Sequence, residues 1–305
     1  MHHSSITVCA MPTVAPRRRN SEVGPPNAGP RRAKGPRAAE PSGAAEPSEV
    51  GALLRAWREE RRVSQLELAL RADSSARHIS FVETGRAKPS EDFVLKLAEH
   101  LDVPVRERNA LLLAAGYAPR FKQTPLDDPS MATLRAGLDQ LLQGYEPYPA
   151  LVVDATYQVV AANRGIAMLL GDLPEDLLAP PLNAIRLVLH PRGLAPKVRN
   201  LREWREHLLH QMGRQIALHR SAELKALYDE VAAYPVADPG EDTAADGQVA
   251  HFALPLRIEH EGRVLSFVSS ISTFNTPMDV TVAELAIETL LPADPATVKY
   301  LQSKA

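Results

Sequence analysis

One cysteine, few aromatic residues and no long apolar run mark this chain of 305 residues. Because Cys9 is the only cysteine, the sequence excludes an intrachain disulfide and a cysteine-rich metal site, as is typical of a reducing cytosol. No segment is long and apolar enough to be a signal peptide or to span a membrane. We therefore expect a cytoplasmic protein with no membrane partner.

The chain also lacks a strong net charge, which is formally −2. The charge is nevertheless uneven along the sequence. Residues 1–48 carry seven Lys/Arg against three Asp/Glu, residues 49–120 carry twelve against eleven, and the remainder carries sixteen against twenty-three. The basic excess lies in the N-terminal part, so a nucleic-acid partner there is compatible with a total near zero.

The first segment, residues 1–48, is predicted to be a disordered tail. Residues 12–48 are rich in Pro, Arg, Ala, Gly, Ser and Glu, and have too little apolar surface to offset the entropy of ordering. Residues 17–19 are three arginines that could touch phosphates, although a solvated tail is the favoured interpretation.

Residues 49–120 read as a bundle of five short helices. Val50, Leu53, Leu54 and Trp57 follow the i, i+3, i+4, i+7 spacing of one apolar helix face. The polar face beside them holds Arg58, Arg61 and Arg62. Residues 64–67, Ser-Gln-Leu-Glu, form a capping box that starts a second helix, in which the glutamate reaches back to the serine. Its predicted inner face is Leu68, Ala69 and Ala72.

A tight turn at Asp73-Ser74 leads into the third helix, which Ser75 caps and Gly85 ends. Ile79 and Val82 face inward in this prediction. The outward positions are Ala76, Arg77, His78 and Phe81, and the loop that follows holds Arg86 and Lys88. Two more helices are predicted, one starting at Pro89-Ser90 and one over residues 105–116. A short helix backed by apolar residues and flanked by basic ones suits the major groove of DNA.

This stretch resembles the XRE/lambda-repressor-like helix-turn-helix family. The residues that carry the resemblance are Ser64-Gln65, Leu68-Ala69, Ser75, Ile79-Ser80, Glu83, Gly85-Arg86 and Lys88-Pro89-Ser90. The family usually has Gly-Val in the turn, where this chain has Asp73-Ser74; Asp tolerates the left-handed conformation nearly as well.

The resemblance implies roles on DNA for eight residues. Arg77 would read guanine through two hydrogen bonds, and Ala76 and Phe81 would meet thymine methyl groups. Gln65 would contact phosphate or a nearby base edge, and Arg86 and Lys88 would hold phosphates. His78 would reach a base or a phosphate, and Ser75 lies at the start of the reading helix. Glu83 is interpreted as structural. The partner implied is a double-stranded operator with an inverted repeat, bound by a homodimer.

Residues 121–305 read as an α+β domain with an antiparallel sheet. After a linker at 124–129 and a helix at 130–144, residues 150–154 and 157–161 form two strands, and Asn163 caps a helix that ends at Gly171. A strand, a tight turn, a strand and an Asn-capped helix are how a PAS-type sensor domain begins. The helix at 130–144, with Met131, Leu134, Leu138, Leu141 and Leu142 on one side, is expected to pack on this domain.

The rest of the domain is predicted as two helices, a hairpin and a last helix. The first helix begins at Asn200, interpreted as its N-cap, with Trp204, Leu208, Met212 and Ile216 on one face. The second begins at Ser221, with Leu224, Leu227, Tyr228 and Val231 inside. After a loop at 235–248, two strands pair around Glu261-Gly262, with Phe252, Leu254, Leu256, Ile258, Leu265, Phe267 and Ile271 inward. Pro255 suggests an edge position or a bulge. The last helix is predicted to start at residues 281–284 and to stop near Pro292.

From about residue 50 to 295 the chain resembles the MmyB-like transcription regulators, which pair an XRE-type helix-turn-helix with a PAS-like ligand-binding domain. The segments that carry this resemblance are residues 75–86, 108–119, 146–154, 190–191 with 193–194, and 273–281. Asn275 stands where a glycine is commoner in the family, and Asn can adopt the same conformation. The fold class implied is an all-α helix-turn-helix domain followed by an α+β PAS-like domain.

The second domain is predicted to bind a ligand rather than to catalyse a reaction. No GxSxG, HExxH, P-loop or dinucleotide motif is present, and no cofactor is implied. Glu203, His207 and His210 have a spacing that could hold a metal, but they share a helix whose apolar stripe runs elsewhere. His190 could ligate haem or contact a ligand, and a hydrogen-bonded structural role is favoured. A pocket for a small apolar or fatty-acid-like molecule would draw polar groups from Arg186, His190 and Asn200.

The sequence therefore predicts a ligand-responsive transcription regulator. In the alternative, the protein binds DNA constitutively and its second domain serves only dimerisation or protein interaction. An enzyme with a DNA-targeting module is the least favoured hypothesis.

Overall fold

The computed structural model describes residues 48–235 and 253–304, which form two compact units. Within those ranges the first unit consists of residues 48–102 with Ala114–Tyr117. The second consists of Val103–Leu113 and the described residues from Ala118 onward. The predicted tail before Ser48, with Cys9, most of the predicted loop at 235–248, and Phe252 lie outside the described residues. The predicted domain boundary at 120 stays a prediction.

The first unit contains four short helices, and a serine caps the start of each. They are α1 (Glu49–Glu60), α2 (Gln65–Arg71), α3 (Ala76–Glu83) and α4 (Glu91–His100). Ser48, Ser64, Ser75 and Ser90 each accept a hydrogen bond from the backbone N–H three residues on, at 3.1 to 3.3 Å. These caps satisfy donors that the helix itself leaves unpaired, so the predicted helix starts are confirmed. The carboxylate of Glu67, predicted to reach back to Ser64, accepts instead from Arg71.

The turns that end α2 and α3 share one backbone pattern. Asp73 has φ +49°, and its N–H and that of Ser74 donate to the carbonyls of Leu70 and Ala69. After α3, Gly85 has φ +73°, and the N–H groups of Gly85 and Arg86 donate to Val82 and Phe81 in the same way. Each is a Schellman motif, in which a residue in the left-handed region closes the helix. The expectation that Asp73 adopts this conformation is confirmed.

Most of the predicted core of the first unit is buried, whereas Leu53 and Phe93 on the predicted apolar faces are half-buried. The buried side chains are Val50, Leu54, Trp57, Leu68, Ala69, Ala72, Ile79, Val82, Val94, Leu97, Ala98 and Leu101. Helices α1 and α3 lie close together at Gly51, where an added Cβ would lie 2.4 Å from the carbonyl oxygen of Val82. Small residues on α1 and α2 therefore let the helices pack tightly around α3.

The second unit is built on one antiparallel sheet. Its helices are α5 (Val105–Ala114, of which Ala114 counts with the first unit), α6 (Ala132–Tyr145), α7 (Arg164–Leu170), α8 (Ala184–Leu189), α9 (Leu201–His219), α10 (Ala222–Ala232), α11 (Val280–Ala283) and α12 (Pro295–Gln302). Its strands are β1 (Ala150–Val153), β2 (Val159–Ala162), β3 (Leu256–His260), β4 (Arg263–Thr273) and β5 (Ala286–Pro292). The strand order is β2-β1-β5-β4-β3, and every neighbouring pair is antiparallel. The predicted fold class, helix-turn-helix followed by a PAS-like α+β domain, is confirmed.

The sheet has a thick inner layer and a thinner outer one. The inner face carries Leu151, Val153, Phe267 and Leu290 into a core shared with α7 to α10. The outer face carries Ala150, Val152 and Ile287 against Leu138 and Leu142 of α6, so the predicted packing of that helix on this domain is confirmed. Pro255 precedes the edge strand β3, as expected. Among the described residues, no helix combines the length and apolar content needed to cross a membrane.

The predicted last helix at 281–292 is wrong. Only Val280–Ala283 is helical there, and Ala286–Pro292 is β5, the central strand of the sheet. The local sequence Ala-Glu-Leu-Ala favours a helix, but pairing with β1 and β4 on both sides outweighs that weak preference.

Two smaller predictions need correction, and two helices were missed. Leu141 and Ile271 were expected inside and are 38% and 46% exposed. Helices α8 and α12 were not predicted; their starts are capped by Asn183 and Asp294.

Candidate DNA-binding surface and candidate ligand site

The outward face of α3 presents the residues that the sequence predicted. Ile79 and Val82 are each 1% exposed and fix the rotation of the helix against the core. Arg77 is consequently exposed, and Ala76, His78 and Phe81 are half-buried. Arg86 and Lys88 are exposed in the loop that follows. The structure thus gathers six of the eight predicted DNA-contacting residues on α3 and in the loop that follows it.

Two guanidinium groups lie over the Phe81 ring. The Cζ atom of Arg77 is 5.1 Å from the centroid of the Phe81 ring, and that of Arg86 is 5.9 Å from it. A cation over an aromatic face at an exposed site is stabilised by about 0.5–1 kcal/mol. This contact limits the freedom of two long side chains before any ligand arrives.

His78 and Lys88 also have aromatic partners, which sequence reasoning missed. The His78 ring is 4.9 Å from that of Phe93 at the start of α4. The Lys88 Nζ atom is 5.3 Å from the ring centroid of Tyr117, whose hydroxyl donates to the Pro89 carbonyl at 2.9 Å. The signal in the sequence that could have indicated these contacts is the presence of aromatic residues near the basic side chains.

Gln65 is tied to a buried ion pair between α1 and α3. The Glu83 carboxylate, 4% exposed, accepts from Arg58 Nε at 2.6 Å and from Arg58 Nη2 at 2.9 Å. Gln65 Nε2 donates to the same carboxylate at 2.8 Å. The hydrogen bonds to Glu83 raise the pKa of Arg58. The structural interpretation of Glu83 agrees with this geometry, whereas the burial of Arg58 was not predicted.

Ser75 has a structural use that bears on its predicted role. Its hydroxyl oxygen accepts from the His78 backbone N–H at 3.1 Å, and the residue is exposed at the start of α3. The hydroxyl hydrogen of a capping serine stays free to point outward.

Two of the predicted ligand-contacting residues meet around one carboxylate. Arg186 donates to Glu230 through Nε at 2.8 Å and Nη2 at 2.7 Å, and the Tyr234 hydroxyl donates to the same group at 2.6 Å. The His190 ring meets the Tyr234 ring edge-on at 5.2 Å. Arg186 lowers the pKa of Glu230, and burial followed by Glu230 raises the pKa of Tyr234 to about 12.

The third predicted ligand residue, Asn200, serves the fold. It is buried, and its side chain donates to the Pro255 carbonyl at 2.8 Å and accepts from the Arg257 N–H at 3.0 Å. It stands at the start of α9 but makes no side-chain cap there, contrary to the interpretation as a capping residue. Its polar atoms bind the edge of the sheet to the helix layer.

The histidines of α9 do not form a metal site. The His207 ring lies 5.4 Å from the Trp204 ring, and burial, then the charge of Arg214, lowers its pKa. Across residues 48–235 and 253–304, no group of three potential metal ligands comes together.

Helix α5 is fastened to the start of β5 within the second unit. Arg106 donates to Glu284 through Nε at 2.6 Å and Nη2 at 2.8 Å, and Glu284 lies two residues before the strand. Asn109 holds the next segment, accepting from the N–H groups of Arg120 and Phe121 at 3.1 and 3.0 Å. The Arg106–Glu284 pair therefore joins α5 to the segment that precedes β5.

Comparison with known proteins identifies both halves of the chain. The family model described as MmyB-like transcription regulator ligand binding domain matches residues 134–303. A helix-turn-helix domain model matches residues 49–111. That second match includes α5, which the structure places in the unit of the sheet. No curated protein sequence matches the chain significantly.

Two solved structures of one regulator, and one structure of a receptor, are similar to parts of this chain. Two structures of the clp gene regulator ClgR from Corynebacterium glutamicum are 28% and 25% identical over 23% and 33% of this chain, and 86% and 93% of theirs, each with a TM-score of 0.20. An RNA-binding light-oxygen-voltage receptor is 12% identical over 85% of this chain and 64% of its own, with a TM-score of 0.25. At these scores the overlays carry no argument about function.

Proposed function

The chain belongs to the MmyB-like transcription regulators, and we propose that it binds a specific DNA operator and responds to a small molecule in its second domain. It is a transcription regulator by family, with a helix-turn-helix domain and a ligand-binding domain. We further propose that residues on and beside α3 read DNA and that the ligand controls DNA affinity. In this proposal the protein acts as a cytoplasmic homodimer without enzymatic activity.

The observation that carries the DNA-binding proposal is the stacking of Arg77 and Arg86 on Phe81. Held at this position, the Arg77 guanidinium can donate two hydrogen bonds to guanine, and the edge of Phe81 can meet a neighbouring thymine methyl group. Arg86 and Lys88 would bind phosphates and set the position of α3 in the groove. Pre-positioned side chains lose less entropy on binding.

The remaining candidates have supporting roles. Gln65, held by Glu83, and Ser75, at the N-terminus of α3, would approach the phosphate backbone, and Ala76 would leave room for base edges. His78, stacked on Phe93, would reach a base or a phosphate. Two such domains in a homodimer would read an inverted repeat.

A DNA-binding titration with Arg77→Ala tests the base-reading role. The operator is first obtained by selection from random DNA with the full chain. Loss of Arg77 should then weaken binding by about 1–3 kcal/mol and relax preference at one base pair of each half-site. Arg55→Ala is the matched control, because Arg55 is an exposed arginine on α1 that pairs with Glu59. Equal affinity and preference in both variants would refute the assignment.

Arg86→Ala separates phosphate binding from base reading. It should weaken binding to all sequences alike and reduce the salt dependence by about one unit of slope. A change of sequence preference would mean that Arg86 reads bases.

The ligand proposal rests on the family match, which describes the second domain as ligand-binding. The ligand would be a small molecule with a largely apolar body, and Arg186 and His190 remain candidates for contacts with it, together with the more deeply engaged Asn200. The alternative is a protein that binds DNA constitutively and whose second domain serves only dimerisation or protein interaction. DNA titrations with and without metabolites extracted from cells distinguish the two. Unchanged affinity favours constitutive binding.

A further inference from the structure

Half of strand β4 has an edge that no other strand in the described part of the chain covers. The pairing of β3 with β4 begins at Leu256, opposite Phe267, and runs from there toward the hairpin turn. On its other side β4 pairs with β5 as far as Thr273, where β4 ends. The segment Ser269–Thr273, the open edge, therefore has a neighbouring strand on one side only.

The hairpin indicates which backbone groups face the open side. Its turn, Glu261-Gly262, is a two-residue loop, so the residues that flank it form a hydrogen-bonded pair and the pattern alternates from there along β4. Ser266 agrees with this pattern, since its carbonyl accepts from the Ala293 N–H, just beyond β5, at 2.8 Å. The residues whose N–H and C=O groups point to the open side are then Ser269, Ile271 and Thr273. Within residues 48–235 and 253–304 these groups have no backbone partner there.

The described chain that precedes β3 does not continue the ladder along β4. Pro255 has no N–H to donate, and its carbonyl accepts from the Asn200 side chain at 2.8 Å. No bridge joins the described residues Ala253–Pro255 to β4. The last four residues of β4, from Ser270 to Thr273, are accordingly exposed.

The open edge lacks the features that protect a free strand. Natural edge strands usually carry a charge, a proline or a bulge that prevents pairing. Here no charged residue occurs between Arg263 and Asp279, β4 contains no proline, and its register with β5 is unbroken. Ile271, in the middle of the open edge, is 46% exposed. A regular and uncharged edge of this kind can take up another strand through main-chain hydrogen bonds.

The open edge is complementary to itself in the antiparallel direction. Its sequence, Ser-Ser-Ile-Ser-Thr, is nearly the same when it is read from either end. A twofold axis at Ile271 would place this residue opposite its copy. The flanking pairs would then be Ser269 with Thr273 and Ser270 with Ser272, and aliphatic and hydroxyl pairs stabilise antiparallel neighbours. Because β4 ends at Thr273, the copy would stop opposite Ser269, before it reaches the residues that β3 already pairs.

We propose that two copies of this chain associate through their open edges, with β4 of one copy antiparallel to β4 of the other. Each copy offers three residues that carry one donor and one acceptor each, so six main-chain hydrogen bonds would cross the axis. This inference rests on the homodimer of the proposed function and specifies the surface through which it forms. One short edge is smaller than the interface of about 1,200–2,000 Å² that is typical of stable complexes. The free protein should therefore dimerise weakly, and an operator with two half-sites should strengthen the pairing.

Sedimentation equilibrium of the full chain over a wide range of concentration tests the inference. The parent should dimerise reversibly. Ile271→Lys should raise the dimer dissociation constant about tenfold or more, because the two lysines would lie opposite each other across the axis. Val264→Lys is the matched control, because Val264 is 48% exposed on the same strand but lies in the part that β3 already pairs. This variant should dimerise as the parent does.

Hydrogen exchange on the same samples reports on the backbone of the open edge. The amides of Ser269, Ile271 and Thr273 should be protected in the dimer, and should exchange faster on dilution and in Ile271→Lys. A parent that stays monomeric would overturn the inference, and so would equal protection of these amides at every concentration, which would mean that another segment of the same chain covers the edge. If Ile271→Lys stays dimeric and binds the selected operator as the parent does, the proposed function stands and the open edge is not its dimer surface.

Discussion

The ion pair between Arg58 and Glu83 offers the sharpest test of how the first unit is held together. The Glu83 carboxylate receives three hydrogen bonds, two from Arg58 and one from Gln65, and Arg58 Nη1 also donates to the Val63 carbonyl at 3.0 Å. Arg58→Met keeps the aliphatic stem and removes the charge. Glu83 would then be a buried carboxylate with one donor, and the Val63 carbonyl would lose a partner.

The expected cost follows from that unpaired charge. Breaking a buried ion pair by removing one partner destabilises by about 3–5 kcal/mol, because the remaining charge stays desolvated. Removing both partners avoids this penalty, so Arg58→Met with Glu83→Leu should recover most of the loss. The exposed Arg55, on the same helix, is the control: Arg55→Met should leave stability unchanged.

Urea unfolding followed by tryptophan fluorescence provides the measurement. The chain has two tryptophans, Trp57 in the first unit and Trp204 in the second. In a Trp204→Phe background the signal comes from Trp57, which is 1% exposed and adjoins Arg58 in α1. A loss below about 1 kcal/mol for Arg58→Met, or a double variant as unstable as the single one, would refute the reasoning from the unpaired carboxylate.

Three further predictions concern packing and pH. Gly51→Ala should cost about 1–3 kcal/mol in the same assay, since its Cβ would press on the Val82 carbonyl, and an unchanged unfolding midpoint would show that α1 can move aside. Met212→Ala, at a side chain that is 0% exposed, should destabilise the second unit by about 2–5 kcal/mol when unfolding is followed through Trp204. Arg186→Gln should lower stability at neutral pH and lose that effect in acid. Arg186 lowers the pKa of Glu230, so its contribution is present above the unfolded pKa of that group and vanishes as pH falls through the folded one. If the parent and the variant still differ in stability at pH values below the folded pKa of Glu230, this prediction is contradicted.

The helical unit could be predicted from the sequence because its signals are local. A serine three residues before its hydrogen-bond partner, and Asp73 or Gly85 at a left-handed position, act over a few residues of chain. The outward placement of Arg77 follows from the spacing of Ile79 and Val82. The candidate DNA-contacting residues on α3 could therefore be named before the structure was known.

The second unit was less predictable because its sheet joins distant segments. The hairpin around Glu261-Gly262 has its own turn signal, and both residues have positive φ. Strand β5 has no hairpin partner close in sequence, and its local preference is helical, so only pairing with β1 and β4 reveals it. The inner and outer positions of β5 were missed with it, since the faces of a strand cannot be assigned until the strand itself is known.

By itself the sequence determined where the helices of the first unit start and stop, which face of α3 is free, and that an α+β domain follows. Only the tertiary structure decided which polar groups lie inside. Arg58 and Glu83 are 25 residues apart, and the buried side chain of Asn200 donates to the Pro255 carbonyl, 55 residues away. Local spacing reports on caps, turns and helix faces, whereas the burial of a charge depends on neighbours that folding brings from elsewhere.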